Sequence, residues 1–155
     1  MDTFKPLKTY YNEQFKPKLD IGLFWEHQAQ KRIIKYYNNN YKLKNECKNN
    51  NYDFELTNNT KYEIKADVKA VKTNNIFIEF LQFGKPSGIQ TTKADNYIII
   101  IPNKIETYIL IDVLELEFLI STIQYKFIIQ PTQYNNYTAG YIFDTEIIIK
   151  NGLLI

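Results

Sequence analysis

Two short segments, 53–57 and 61–68, alternate polar and apolar residues, and Asn58, Asn59 and Thr60 stand between them. A period of two marks strands with one buried face, and the Asn-rich interruption is turn material, so the segments predict an antiparallel hairpin. Slipping the pairing by one residue would turn one apolar set into water. Phe54 and Leu56 must therefore share a face with Tyr62, Ile64 and Ala66, which leaves Asp53, Glu55, Glu63 and Lys65 together on the other. With 58–60 as the connection, Leu56 pairs with Tyr62 and Phe54 with Ile64. Asp53 then faces Lys65 and lies diagonal to Glu63, about 7–8 Å away between backbones.

The rest of the chain supplies layers for this hairpin. Residues 1–20 carry Pro6 and Pro17 among lysines and predict an irregular arm. From Gly22 to Tyr37, Leu23, Ala29, Ile33, Ile34 and Tyr37 fit one helical face, with Lys31, Arg32 and Lys35 toward water. Glu26 falls on or beside the buried stripe, where a carboxylate needs an explanation. An Asn/Lys-rich loop follows. A third strand is expected over 75–81, then a loop at Gly84, Pro86 and Gly88 and a short helix over 89–95 with Ser87 near its cap. Residues 96–101 and 105–111 predict two strands, the first fully buried, and Asp112 caps a helix with Val113, Leu114, Leu116, Phe118 and Leu119. Residues 124–129 and 140–149, apolar and β-branched, predict further strands. The expectation is one α/β (α+β) domain, a central mixed sheet flanked by helices.

Composition narrows the classes. The length suits one domain without a stabilising disulfide. Cys47 is the only cysteine, which excludes a disulfide framework and a thiolate zinc site and favours a reducing, intracellular compartment. Residues 1–6 have charges and a proline where a signal peptide needs an apolar core. The longest aliphatic run, 98–101, is far below the roughly 20 residues of a membrane span. Residues 1–93 hold 16 Lys and Arg against 10 Asp and Glu, and residues 94–155 hold 3 against 7, so a basic portion exists that would attract a polyanion if it gathers on one face.

Glu-x-Lys occurs twice, at Glu46 with Lys48 and at Glu63 with Lys65, and only the second lies in a predicted strand beside an acidic residue on the strand before. Asp53 and Glu63 suffice to hold Mg²⁺, which takes few protein oxygens and keeps the rest of its shell for water and phosphate. Such an ion neutralises phosphate oxygens and helps ionise a water, which Lys65 would orient. Taken alone, the hairpin is more commonly an edge with a solvated charged face. The order of the surrounding elements shifts that balance.

A helix with Glu26, then Asp53, nine residues, Glu63-x-Lys65, an adjacent strand over 76–80, a loop and helix over 87–95 and a buried strand over 97–101 together resemble the PD-(D/E)xK nuclease superfamily. That superfamily includes Holliday junction resolvases, restriction enzymes and small phage or viral endonucleases. The resemblance covers residues 22–101, with Tyr52 where the name-giving proline would stand, and it implies a restriction endonuclease-like core of order αβββαβ, extended by the strands of 102–155. It further implies a divalent-metal-dependent endonuclease hydrolysing DNA, with recombination or repair of branched DNA among its settings. Asp53, Glu63 and the Ile64 carbonyl would bind Mg²⁺ or Mn²⁺, Lys65 would stand by the attacking water, and Glu26 would reach the site from the helix; a helix-surface salt bridge is an even alternative for Glu26. Glu79 is either a further carboxylate at the rim or a cross-strand partner for a lysine. Ser87, Thr91, Thr92 and Lys93 are candidate phosphate contacts, with ordinary capping and surface roles the favoured alternative. DNA is the implied partner and a homodimer the implied assembly. His27, the only histidine, disfavours histidine-dependent nuclease sites, and with no Gly-rich phosphate loop no nucleotide cofactor is expected. The alternative is a nucleic-acid-binding module that keeps such a fold without turnover.

Overall fold

A helix over Lys16–Tyr36 (α1) opens the described chain, earlier than the sequence predicts. Pro17, expected to break regular structure, sits in the first turn, where its missing N–H has no helical partner to lose. The computed structural model describes residues 16–46, 51–103, 105–123, 126–131 and 137–155, so the expected arm falls outside the described residues up to 15 and is helix beyond them. Trp25, Ala29 and Ile33, spaced by four, form the buried stripe, while Leu23, assigned to it by the sequence, is 44 % exposed. Lys31, Arg32 and Lys35 do face water. Asn38 and Asn39 end the helix in left-handed conformations, and the Asn39 N–H donates to the Ile34 carbonyl.

The strands that follow are β1 (Leu43–Glu46), β2 (Phe54–Leu56) and β3 (Lys61–Ala66). One turn of helix, α2 (Ala70–Thr73), leads into β4 (Asn75–Gln82), β5 (Lys85–Pro86) and a 3-10 turn (Gly88–Gln90). The chain continues through β6 (Asn96–Ile101), β7 (Thr107–Asp112), α3 (Val113–Thr122), β8 (Lys126–Pro131), β9 (Tyr137–Asp144), α4 (Thr145–Asn151) and β10 (Leu153–Leu154). The architecture is α+β with a mixed central sheet and, among the described residues, four helices. That central sheet has six strands in the order β1-β2-β3-β6-β7-β10, with β3 and β6 parallel and every other neighbour antiparallel. None of the described helices is long and apolar enough to cross a membrane.

Several expectations need correction. The hairpin pairs Phe54 with Tyr62, not with Ile64, because the three-residue loop is 57–59: Leu56 N–H donates to the Thr60 carbonyl, and Asn59 supplies the left-handed residue that closes such a loop. This two-residue shift preserves the alternation, so Phe54, Leu56 and Tyr62 are buried together as expected. β1 is a fully exposed edge strand and carries no apolar alternation to announce it. The expected helix over 89–95 is only the 3-10 turn. The expected strand over 140–149 stops at Asp144, whose carboxylate caps α4 by accepting from the Glu146 N–H. Asp112 caps α3 in the same way, as predicted.

The strand over 75–82 departs most from expectation. It does not pair with the hairpin but joins a second, four-stranded antiparallel sheet in the order β5-β4-β9-β8. The two sheets sandwich a core. On one face of β6, Ile98 and Ile100 pack with Trp25, Ala29 and Ile33 of α1 and with Phe54, Leu56 and Tyr62. On the other, Tyr97, Ile99 and Ile101 meet Ile76, Ile78 and Phe143 of the second sheet. Burial on both faces explains the unbroken run of isoleucines in a strand with a parallel neighbour, each worth about 1.5–3 kcal/mol of transfer free energy. Asp67, itself buried, ties β3 to β4 by accepting from the Ala70 and Phe77 N–H groups.

Gly140 faces Glu79 across the β4–β9 ladder, and a Cβ there would lie 2.4 Å from the Phe77 ring and 2.7 Å from the Ile78 carbonyl. Gly140→Ala is expected to destabilise the protein by about 1–3 kcal/mol through overpacking. A lowered urea midpoint at unchanged slope checks it.

Candidate active site

β3 presents Tyr62, Ile64 and Ala66 toward α1, so Glu63 and Lys65 point the other way, into the space between the two sheets. Tyr97 and Ile99 of β6 flank them on that same inner face. Asp53 enters from the start of β2. Its N–H donates to the Tyr62 carbonyl at 2.8 Å, and its side chain folds across to accept from the Ile64 N–H at 2.6 Å. Asp53 therefore does not stand opposite Lys65, as the expected register had it, but is bound to the strand beside Glu63. A strand residue projects its N–H and C=O to the same edge, so the Ile64 carbonyl faces the side from which Asp53 approaches.

β4 forms the opposite wall. A bulge between Glu79 and Leu81 bends it, and the loop after β5 presses against Glu79. Gly88 makes that approach possible: its φ is +51°, and a Cβ would lie 2.3 Å from the Glu79 carbonyl. The Ser87 hydroxyl donates to Glu79 Oε1 at 2.6 Å. The Thr92 hydroxyl lies 3.4 Å from Glu63 Oε2 and 3.3 Å from the Asn51 carbonyl.

Together these walls enclose an open cleft of about 540 Å³ lined by Asp53, Glu63, Glu79, Thr91, Thr92 and the 82–88 segment. A smaller pocket of about 110 Å³ adjoins it, shared by Glu63, Ile64, Lys65, Glu79, Phe77 and Tyr97. The Lys65 ammonium stands 5.3 Å from the Phe77 ring centroid and has no ion pair among the described residues. Asp53, Glu63 and Glu79 thus line the cleft, and Ile64 and Lys65 line the adjoining pocket, which Glu63 and Glu79 share. Glu26 lies to the side on α1, close enough to Asp53 for their charges to interact but outside the cleft lining. Ser87 and Thr92 are engaged with carboxylates, and Thr91 lines the cleft. Lys93 does not line it; its backbone N–H donates to the Asn51 carbonyl. The 3-10 turn is too short to offer phosphate a helix N-terminus. Missing from the sequence expectations are Gln82, Phe83 and Lys85 of the β4–β5 turn, which carry no periodic signal, and Tyr97, whose strand was legible but not its neighbours.

Electrostatics sets this cluster apart from a solvated charged face. Burial first, then the negative charges of Asp53, Glu26 and Glu79, push the Glu63 carboxyl up to about 8, against a counteracting hydrogen bond from Thr92. Glu26 is pushed up to about 7 by burial, Asp53 and Glu46. Asp53 is raised by burial, with the Ile64 N–H working in the opposite direction. Neither Asp53 nor Glu63 has a Lys or Arg ion pair among the described residues. Carboxylates that repel one another in a half-buried cleft suit a hard divalent cation, which prefers oxygen donors and needs only one or two carboxylates. Among the described residues no three His, Cys, Asp or Glu side chains enclose a complete cage. The oxygens that could serve such an ion here are those of the Asp53 and Glu63 carboxylates and the Ile64 carbonyl.

No family model matches the chain, and neither does any curated protein or solved structure.

The raised Glu63 has a thermodynamic consequence. Between its ordinary value of 4.5 and the folded value of about 8, the native state holds a proton that the unfolded state has lost, so stability falls as pH rises through that window. Without divalent metal the melting temperature is expected to decline from pH 5 to 8, less so in Glu63→Gln, and added Mg²⁺ should restore it most at the upper end. Thermal melts across that range check the sign.

Proposed function

We propose that the chain is a divalent-metal-dependent endonuclease that hydrolyses phosphodiester bonds in DNA. The observation that carries this is that Asp53 and Glu63, two mutually repelling carboxylates, line one open cleft, while Lys65 lines the smaller pocket that Glu63 shares with it. Asp53 and Glu63, with the Ile64 carbonyl, would hold Mg²⁺ or Mn²⁺. Such an ion supplies charge neutralisation at the phosphate and favours hydroxide over water as the nucleophile. Lys65 would orient that water and stabilise developing negative charge, and Glu79, fixed by Ser87, would anchor the rim through hydrogen bonds to water. Glu26, from the side, adds to the negative charge that raises the Glu63 carboxyl.

The order of elements supports the same reading. α1 is followed by β1, β2 and β3 as sheet neighbours, then by a crossover and by β6 beside β3. This order is similar to the αβββαβ succession of the PD-(D/E)xK superfamily if β1 is taken as its first strand, and it departs from it in having β4, β5 and a 3-10 turn in the crossover where the pattern has a helix. A module that only bound nucleic acid would gain nothing from carboxylates that repel phosphate.

Asp53→Asn and Lys65→Ala are each expected to lower cleavage by about 100-fold or more while circular dichroism stays unchanged. Duplex, single-stranded, flap and four-way-junction DNA with Mg²⁺ form the test panel, and calorimetric Mg²⁺ binding should disappear in Glu63→Gln. Cleavage that persists in Asp53→Asn, or in excess EDTA, contradicts the proposal.

A further inference from the structure

The cleft is overhung by the two-residue turn joining β4 to β5, in which Gln82 pairs with Lys85 and the loop residues are Phe83 and Gly84. Both have positive φ, +51° and +75°, as a tight hairpin of this hand requires. Asn or Gly is the residue such a position favours; a bulky aromatic there is strained. Packing does not repay that strain, because Phe83 is 52 % exposed and belongs to neither hydrophobic core cluster. Its backbone is nonetheless held, the N–H donating to the Tyr137 carbonyl at 2.9 Å. Phe83 and Lys85 line the same cleft as Asp53 and Glu63.

A strained, exposed aromatic residue next to a cation, at the mouth of a site for phosphodiester chemistry, matches a base-stacking platform. Aromatic rings bind any unpaired base through its face, and a neighbouring Lys takes the backbone phosphate. A cleft of about 540 Å³ has the size of small-molecule pockets, room for individual nucleotides, and a base already stacked in a duplex has no free face to offer Phe83. We propose that Phe83 stacks on an unpaired base and Lys85 holds an adjacent phosphate, so that the cleft takes single-stranded nucleic acid. This rests on the nuclease reading for the identity of the polymer.

The test is fluorescence anisotropy with a labelled single-stranded DNA oligonucleotide and the matching duplex, in Ca²⁺ without Mg²⁺, on the full chain. Phe83→Gly suits it because glycine relieves the left-handed strain, so loss of binding cannot be ascribed to unfolding; a thermal melt should show equal or higher stability. Wild type is expected to prefer the single strand. Phe83→Gly should weaken single-strand binding about 10-fold with duplex binding unchanged, Phe83→Trp should restore it, and Lys85→Ala should weaken it with a salt dependence shallower by about one phosphate. Single-strand binding unchanged in Phe83→Gly, or lost equally for duplex and single strand, overturns the inference. Wild-type cleavage in Mg²⁺ is scored separately. A protein that binds single strands through Phe83 but never cuts removes the nuclease reading alone, and one that cuts with Phe83→Gly binding intact removes this inference alone.

Discussion

Because β3 and β6 run parallel, the chain has to travel back along the sheet between Ala66 and Asn96 before it can pair again. Everything on the far wall of the cleft lies in that return path. Asp67 accepts two backbone N–H groups at its start and fixes where β4 begins, and the bulge after Glu79 and the close approach of Gly88 shape its end. The outward journey leaves Glu63 and Lys65 on β3, and the return journey lays Glu79, Phe83 and Lys85 across from them. One pairing choice therefore sets both halves of the cleft.

Holding carboxylates in such a place opposes folding, since burial and mutual repulsion both disfavour their charged forms. The surrounding polar groups offset only part of this: Ile64 N–H serves Asp53, Thr92 serves Glu63 and Ser87 serves Glu79. Glu55, on the same strand as Phe54, shows the contrast. It is 6 % exposed yet bonded to Lys44 and Asn45, and these partners hold its carboxyl below the usual range. Glu55 is given a lysine, whereas the carboxylates of the cleft are not, among the described residues.

The parity of the hairpin was legible in the sequence because burial of Phe54, Leu56 and Tyr62 on one face leaves no other assignment for Asp53, Glu63 and Lys65. Its register was not, since 57–59 and 58–60 are equally plausible turns and a shift of two residues leaves the alternation intact. β6 was legible from its isoleucines, but its parallel partner was not, because neighbours in a sheet leave no local mark. The same gap concealed the transfer of β4 to a second sheet. Ile147, Ile148 and Ile149 read as strand by their branching, yet the Asp144 cap and the packing of Ile148 override that preference in α4. Trp25 was within reach through its spacing of four from Ala29 and Ile33.

The β4–β9 ladder, which pairs Asn75 with Asp144 and Gln82 with Thr138, has a kinetic consequence. It closes a loop containing β6, β7 and α3, so its contacts reward the chain only after a long stretch of backbone has lost its freedom. The β2–β3 hairpin, by contrast, closes over three residues and is local. Folding of this protein is thus expected to be slow for its size, with the acidic strand in place early and the aromatic-tipped wall docking onto it late.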